Sequence, residues 1–432
     1  MPRADDRPPP GYPRNILDED RQGVLGRPVS RIDGPAKVTG QAAYAYEYAG
    51  QDETAYGFVV GASISNGRIV DISDGEAAGM PGVLLVLTHR NTPAQAPRVT
   101  ADKVAAHGGI SYAVAKPFLF DDQIRYFGEP VALVVAETFE QARDAAANVA
   151  VRYEAGPPPA GRVKSRADRA YAPATVRGVI PTDSIQGDFA AALEVAPVKI
   201  DATYETPFQH HHAMEPHATL ARWDGDRLTL HTSAQLPMSC RAMIADTLQI
   251  PREKVRIVCR FVGGGFGSKL ATESDAVLSA LAAQRLGRPV KTALTRPQLV
   301  VNAAHRTESI QRVRLGAAHD GSLTALAHKT LQHTATFDEF TEQAVAFSRN
   351  LYAAPNRFTA HRLVRLDLPM PGDMRAPGEG IGMLAFEQAM DELAYAAGLD
   401  PIVLRIRNEP TVHPETGKPF SSRSLLACYR EG

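Results

Sequence analysis

Apolar positions along this chain follow two periods. Residues 55–64, 83–88, 131–135, 198–205, 218–223, 227–232, 255–261 and 288–294 read as strands, rich in β-branched or alternating apolar residues. The pair 218–223 and 227–232 is joined by Asp224-Gly225-Asp226. Residues 311–317 and 323–332 form a second hairpin around Asp320-Gly321. A 3.6-residue period predicts helices over 139–150, capped by Thr138, and over 243–248, 273–286 and 384–397. The last places Phe386, Met390, Leu393 and Ala397 on one face and ends at Gly398. Shorter helices are expected at 74–78, after Asp400-Pro401, and at the Ser-capped end of the chain.

These elements divide the chain into segments. Residues 1–24 are polar and proline-rich, without an apolar core, and read as a disordered arm rather than a secretory leader. Residues 25–155 read as an α/β unit. Gly156-Pro157-Pro158-Pro159 opens a linker over 156–174. Residues 175–410 form a larger α+β unit, and 411–432 the start of a further region that stops early. The expected fold class is α+β.

Composition narrows the function. A formal net charge of −1 with dispersed Lys and Arg gives no basis for nucleic-acid or anionic membrane binding. No run approaches the roughly 18 apolar residues of a membrane helix. The three cysteines, Cys240, Cys259 and Cys428, form no Cys-x-x-Cys pair, so this chain alone cannot supply the four thiolates of an iron–sulfur cluster. Cys259 is expected to be a buried small hydrophobe.

The densest chemical signal is Val262-Gly263-Gly264-Gly265-Phe266-Gly267-Ser268-Lys269, between a strand pattern and a helix pattern. A glycine turn opening a helix offers bare backbone N–H groups to an anion or oxo group. Neither phosphate motif fits: Ser268 stands where the dinucleotide fingerprint needs Gly or Ala, and where a P-loop needs the glycine before its lysine. A ligandless strand-to-helix turn stays open on these residues alone. The His210-His211-His212 run with Glu215 and His217 matches no helical metal-ligand spacing, and Pro216 interrupts it.

The glycine run resembles the molybdopterin-binding loop of the xanthine dehydrogenase/aldehyde oxidase family. Five further segments follow in the family's order. They are residues 31–40, residues 128–138, Met214-Glu215-Pro216-His217-Ala218, Thr232-Ser233-Ala234-Gln235 and Met374-Arg375-Ala376-Pro377-Gly378-Glu379. The likeness is greatest to large subunits of periplasmic-type bacterial aldehyde oxidoreductases. It implies an N-terminal hammerhead-like α/β domain followed by the first molybdopterin-binding domain. It also implies a molybdenum–pterin cofactor, in its cytosine dinucleotide form, with iron–sulfur clusters and FAD on partner subunits.

By the same resemblance Gln235, Gly265, Phe266, Gly267 and Arg375 bind the cofactor, with Gln235, Phe266 and Arg375 near molybdenum. Leu270, Arg306 and Pro377 line the substrate pocket. Leu270 stands where purine-oxidising members have a glutamate, and Pro377 where they have an aromatic, which points to an aldehyde. The implied reaction hydroxylates the aldehyde carbon with oxygen from water. No catalytic residue is assigned: the base glutamate is expected beyond residue 432, which leaves this chain inactive alone. A non-catalytic cofactor-binding or assembly module is the alternative, and a nucleotide-binding enzyme a weaker one. The expected location is the cytoplasm, or the periplasm by export with a signal-bearing partner.

Overall fold

A computed structural model describes residues 27–48, 53–99 and 114–432. The arm expected at 1–24 lies outside the described residues. Met1–Ala43 and Tyr44–Gly432 are separate compact units. The described part of the first holds one short helix, Gly34–Val38.

The described residues of the second unit carry fifteen strands. The first six are β1 (Ala55–Gly61), β2 (Gly67–Ser73), β3 (Val83–Thr88), β4 (Gln123–Ile124), β5 (Pro130–Ala136) and β6 (Ala150–Ala155). Next come β7 (Asp183–Gln186), β8 (Val198–Thr206), β9 (Ala218–Asp224), β10 (Arg227–Thr232), β11 (Val255–Val258) and β12 (Val290–Ala293). The last are β13 (Ser309–Ala317), β14 (Leu323–Ala335) and β15 (Asn356–Leu366). They form three sheets: a seven-stranded β11-β10-β9-β12-β1-β5-β3, a five-stranded β7-β15-β14-β13-β8, and a three-stranded β4-β2-β6.

The large sheet does not respect the boundary read from the sequence. β1 pairs antiparallel with β5 and parallel with β12, aligning Ala55 with Val290. Residues from 55–136 and from 218–293 therefore share one hydrogen-bonded surface. Strand β5 explains why 131–135 is apolar throughout: it is buried on both faces. Leu133 and Val135 join the core around the helix Ser274–Leu286. Val131, Ala132 and Val134 join the core holding Ala145 and Ala146 of the helix Phe139–Ala146.

The five-stranded sheet packs the helix Glu379–Ala397 through Phe386, Met390 and Leu393 against Val313, Leu315 and Leu326. The predicted face is right, with Ala397 at its half-buried edge. The linker is not a free tether. Ala160 and Val163 are buried against Val364 and Leu366. Glu308 accepts from Arg162 Nε at 3.0 Å and from Val163 N at 3.1 Å.

Boundaries moved where tertiary partners intervened. The helix predicted over 139–150 stops at Ala146, because Ala150 is already hydrogen-bonded into β6 opposite Ser73. The helix predicted at 243–248 begins at Pro237, since Pro is tolerated in a first turn. The C-terminal helix Leu425–Glu431 forms, although the Ser424 side chain makes no capping bond. Among the described residues no helix is long and apolar enough to cross a membrane.

The helix Ser274–Leu286 is buried continuously from Ser274 to Ala283, polar residues included. Asp275 accepts a 2.7 Å bond from Thr219 Oγ1, which also meets Thr232 Oγ1 at 2.7 Å. Desolvation raises the Asp275 carboxyl to about 6, against the Thr219 bond. Between pH ~4 and ~6 the folded chain then holds a proton that the unfolded chain has lost, so stability falls as pH rises, by roughly 3 kcal/mol. Asp275→Asn should flatten this dependence. Urea midpoints at pH 4.5 and 7 check it, and an unchanged slope excludes Asp275 as its source.

Candidate functional site

Gln235 lies between the end of β10 at Thr232 and Pro237, the first residue of the next helix. Its backbone N–H donates to Lys269 O at 2.7 Å. Its side-chain Oε1 accepts from the N–H groups of Gly267 (2.9 Å) and Lys269 (3.2 Å). Two backbone donors fix the orientation of the amide. The Nε2 end is left to donate elsewhere.

The glycine run is shaped around this side chain. A Cβ on Gly265 would collide with Gln235 Oε1, and one on Gly267 (φ +114°) with the carbonyl of Asp373. Phe266 between them takes φ +55°, a left-handed conformation costing a non-glycine residue roughly 1–3 kcal/mol. The residue is 47% exposed. The expectation of bare N–H groups at a helix start holds only in part: among the described residues no hydrogen bond engages the N–H groups of Gly264, Gly265 and Phe266, but no helix starts there. The helix begins only at Ser274, and the loop donors of Gly263, Gly267 and Lys269 already bond side chains brought from other segments. Buried backbone donors need acceptors, and Gln235 and Glu215 supply them.

Glu215 and Lys269 anchor the loop. Lys269 has no exposed surface. Its Nζ donates to Glu215 Oε2 at 2.7 Å and to Glu215 O at 3.0 Å. The same Oε2 accepts from Gly263 N at 2.8 Å, while Oε1 reaches Ala45 N at 3.3 Å. Burial pushes the Lys269 ammonium down and Glu215 opposes it. His217 Nε2 meets Ser268 O at 2.9 Å, and burial lowers this imidazole to about 3, so it is neutral and donates to the carbonyl.

A second loop, 372–378, meets the first. Arg375 N donates to Phe266 O at 2.8 Å, and the Arg375 guanidinium lies on an exposed residue. Ala376 (φ +58°) and Gly378 (φ +89°) are left-handed. Arg306, expected in the pocket, holds this loop: its Nη2 reaches the carbonyls of Met374 and Arg375 at 2.6 Å and of Ala376 at 3.2 Å. Its counter-charge is buried Glu342, 3.3 Å from Nε, and Glu342 also accepts from Gly378 N at 2.8 Å. His211 Nε2 adds a tie to Asp373 O at 2.8 Å.

Gln235, Gly265, Phe266, Gly267 and Arg375 are thus joined through one hydrogen-bonded pair of loops. Leu270 and Pro377 are half-buried. Neither they nor Arg306 line the cavity of about 90 Å³ nearby, whose walls include Ala271, Glu273, Ala304, Pro371 and Gly372. Among the described residues no group of three or more His, Cys, Asp and Glu side chains is placed to hold a metal ion. Cys259, expected to be buried, is half-buried with Sγ 3.4 Å from Ala234 O.

Sequence reasoning left the role of Glu215 open and missed the buried Lys269, His217 and Glu342. No local period marks them, because their partners lie 54 residues away for Lys269, 51 for His217 and 36 for Glu342.

The site is a glycine cradle closed by a fixed amide. Residues 173–409 match the molybdopterin cofactor-binding domain, and residues 39–157 the aldehyde oxidase and xanthine dehydrogenase a/b hammerhead domain. The chain belongs to the xanthine dehydrogenase/aldehyde oxidase family, carrying its hammerhead and molybdopterin cofactor-binding domains. It is 44% identical over 96% of its length to the aldehyde oxidoreductase molybdenum-binding subunit PaoC of Escherichia coli K12. It is 30% identical over 93% of its length to the xanthine dehydrogenase molybdenum-binding subunit of E. coli O157:H7. The solved aldehyde oxidoreductase of Desulfovibrio gigas superposes with a TM-score of 0.80 over 93% of this chain at 26% identity. The chain spans 54% of the length of each of these two relatives and 45% of the solved chain.

Two substitutions test the anchoring. Glu215→Gln strands a buried lysine and should cost about 3–5 kcal/mol in urea unfolding, with much of the loss recovered by adding Lys269→Met. Gln235→Ala frees two loop donors and should cost about 1–3 kcal/mol. A loss below ~0.5 kcal/mol for either single variant would contradict these contacts.

Proposed function

We propose that this chain carries the cofactor-binding part of a molybdenum hydroxylase that oxidises aldehydes to carboxylic acids. One aldehyde and one water yield the acid, two protons and two electrons. The molybdenum–pterin cofactor, in its cytosine dinucleotide form, supplies the oxygen donor and electron sink when bound. The observation carrying this reading is the Gln235 amide, its oxygen held by Gly267 and Lys269 so that its amino end is the free donor.

The residues present fit such a group. The glycine backbone allows close approach, since a side chain on Gly265 or Gly267 would fill the cradle. Gln235 Nε2 would offer the group a hydrogen-bond donor without adding charge. Phe266, exposed and held in a left-handed turn, covers the bound group. The Arg375 guanidinium attracts an anionic cofactor, while its backbone N–H keeps the two loops together. Leu270 and Pro377 keep the approach apolar and offer a purine no hydrogen bond.

Electrons leave through an iron–sulfur subunit and then a flavin subunit, as the family resemblance implies; the three cysteines of this sequence do not by themselves ligate a cluster. The strong likeness to a molybdenum-binding subunit named as an aldehyde oxidoreductase supports the aldehyde as substrate. The second reading, a cofactor-holding assembly module, rests on the same cradle and makes no turnover.

The test is to co-produce the chain with iron–sulfur and flavin subunits, then measure molybdenum content and aldehyde-dependent dye reduction. Stoichiometric molybdenum with dye reduction is expected, and Leu270→Glu should lower the aldehyde rate at least tenfold by placing an unpaired carboxylate in an apolar approach. Molybdenum without dye reduction favours the assembly module. Neither molybdenum nor turnover overturns both readings.

A further inference from the structure

Strand β8 forms one edge of the five-stranded sheet, bonded to β13 on one side and, among the described residues, to no strand on the other. Its nine residues make it the longest edge strand described: β7 and β11 have four, β4 has two, and β3 and β6 have six. An open edge presents the N–H and C=O groups of alternate residues to any strand that can lie beside it, and proteins usually blunt it by shortness or proline. Pro197 and Pro207 flank β8, but no proline lies within it. Val198, Ile200 and Tyr204 face the core beneath the sheet and remain half-buried, as does Ala202 between them. Lys199, Asp201, Thr203 and Glu205 alternate with them on the exposed outer face.

The order of these residues selects one antiparallel pairing of β8 with itself. A second copy turned about a two-fold axis perpendicular to the sheet keeps inner residues opposite inner and outer opposite outer. Centred on Asp201, that pairing sets the two Asp201 carboxylates face to face. Centred on Thr203, it sets Asp201 opposite Glu205. Centred on Ala202, it uses the whole strand: Lys199 faces Glu205 twice, Ile200 faces Tyr204 twice, Asp201 faces Thr203, and Ala202 meets its own copy. Opposite charges directly across a strand pair are favourable and like charges unfavourable. Of these three registers only the one on Ala202 is free of repulsion, and it is also the longest.

The charges this register needs are available. Lys199 Nζ donates to the Glu194 carbonyl at 3.0 Å, and among the described residues neither Lys199 nor Glu205 has an ion-pair partner. Asp201 is already met by Arg312 at 2.7 and 2.6 Å, so Thr203 opposite it leaves no carboxylate stranded. We infer that the open edge of β8 is an interaction surface for a second copy of this chain, which adds its own β8 antiparallel about Ala202 and joins the two five-stranded sheets into one. A single strand pair with a narrow apolar strip is a small interface, so the dimer dissociates on dilution.

Sedimentation velocity over a concentration series tests this on the full chain. The parent should move from the mass of one chain to that of two as concentration rises. Lys199→Glu and Glu205→Lys each replace two attractive pairs with two repulsive ones, and each should weaken association about tenfold or more. An equimolar mixture of the two variants matches charges in every outer pair of the mixed dimer and should restore the parent's association, which variants that had lost their fold could not do. A parent that stays one chain at every concentration overturns the proposal without any variant. A dimer indifferent to both charge reversals, or folded variants that mixing does not restore, overturns it as well. If the charge variants do not fold, Ala202→Cys combined with Cys428→Ser, which removes the exposed thiol, gives a separate reading. The residue on the axis faces its own copy at disulfide distance, so mild oxidation should yield a covalent dimer, and its absence overturns the register.

Discussion

The buried pair between Lys269 and Glu215 is the contact on which the site's geometry depends. A lysine ammonium without access to water is tolerated only where its charge and donors are met, and Glu215 meets them with a carboxylate oxygen and a backbone carbonyl. The same carboxylate captures Gly263 N–H. One ion pair therefore draws the segment around residue 215 onto both ends of the glycine run. With those ends fixed, Phe266 is held in a left-handed conformation it would not adopt freely.

The same solution recurs in the facing loop. Arg306 turns its donors onto three successive carbonyls of residues 374–376, and Glu342 supplies both the counter-charge and an acceptor for Gly378 N–H. Irregular backbone cannot satisfy its own polar groups as helices and sheets do, so side chains from distant elements complete it. The Phe266–Arg375 backbone bond then links the two braced loops. Two charged pairs and one backbone bond thus hold a surface that has no regular secondary structure.

The sheet beneath explains how loops so far apart in sequence converge. Strand β9 pairs with both β10 and β12, so Thr219 aligns with Thr232 and with Thr292. Gln235 leaves the sheet just beyond β10 and His217 lies just before β9, both at the same end. The Leu294 N–H donates to His217 O at 2.9 Å, which ties the exit of β12 to this end as well. Strand β1 extends the surface through β12, so the earlier segment contributes to the scaffold under the loops.

Much was legible from residue patterns. The helix face of Phe386, Met390 and Leu393, the hairpins at Asp224-Gly225 and Asp320-Gly321, and the buried strand β5 follow from local periodicity, because each is set by neighbours a few residues away. The ordered motifs likewise marked Gln235, the glycine run and Arg375 as a group. What periodicity cannot carry is pairing across long separations. It does not show that the N–H groups of Gly263, Gly267 and Lys269 are taken, that the linker packs on β15, that Arg306 braces the facing loop, or that one sheet joins the two segments. Those features were decided by where Glu215, Glu308 and Glu342 come to rest. A carboxylate's partner is chosen by three-dimensional proximity and the cost of burying a charge alone, and neither quantity is written in the spacing of the residues that meet.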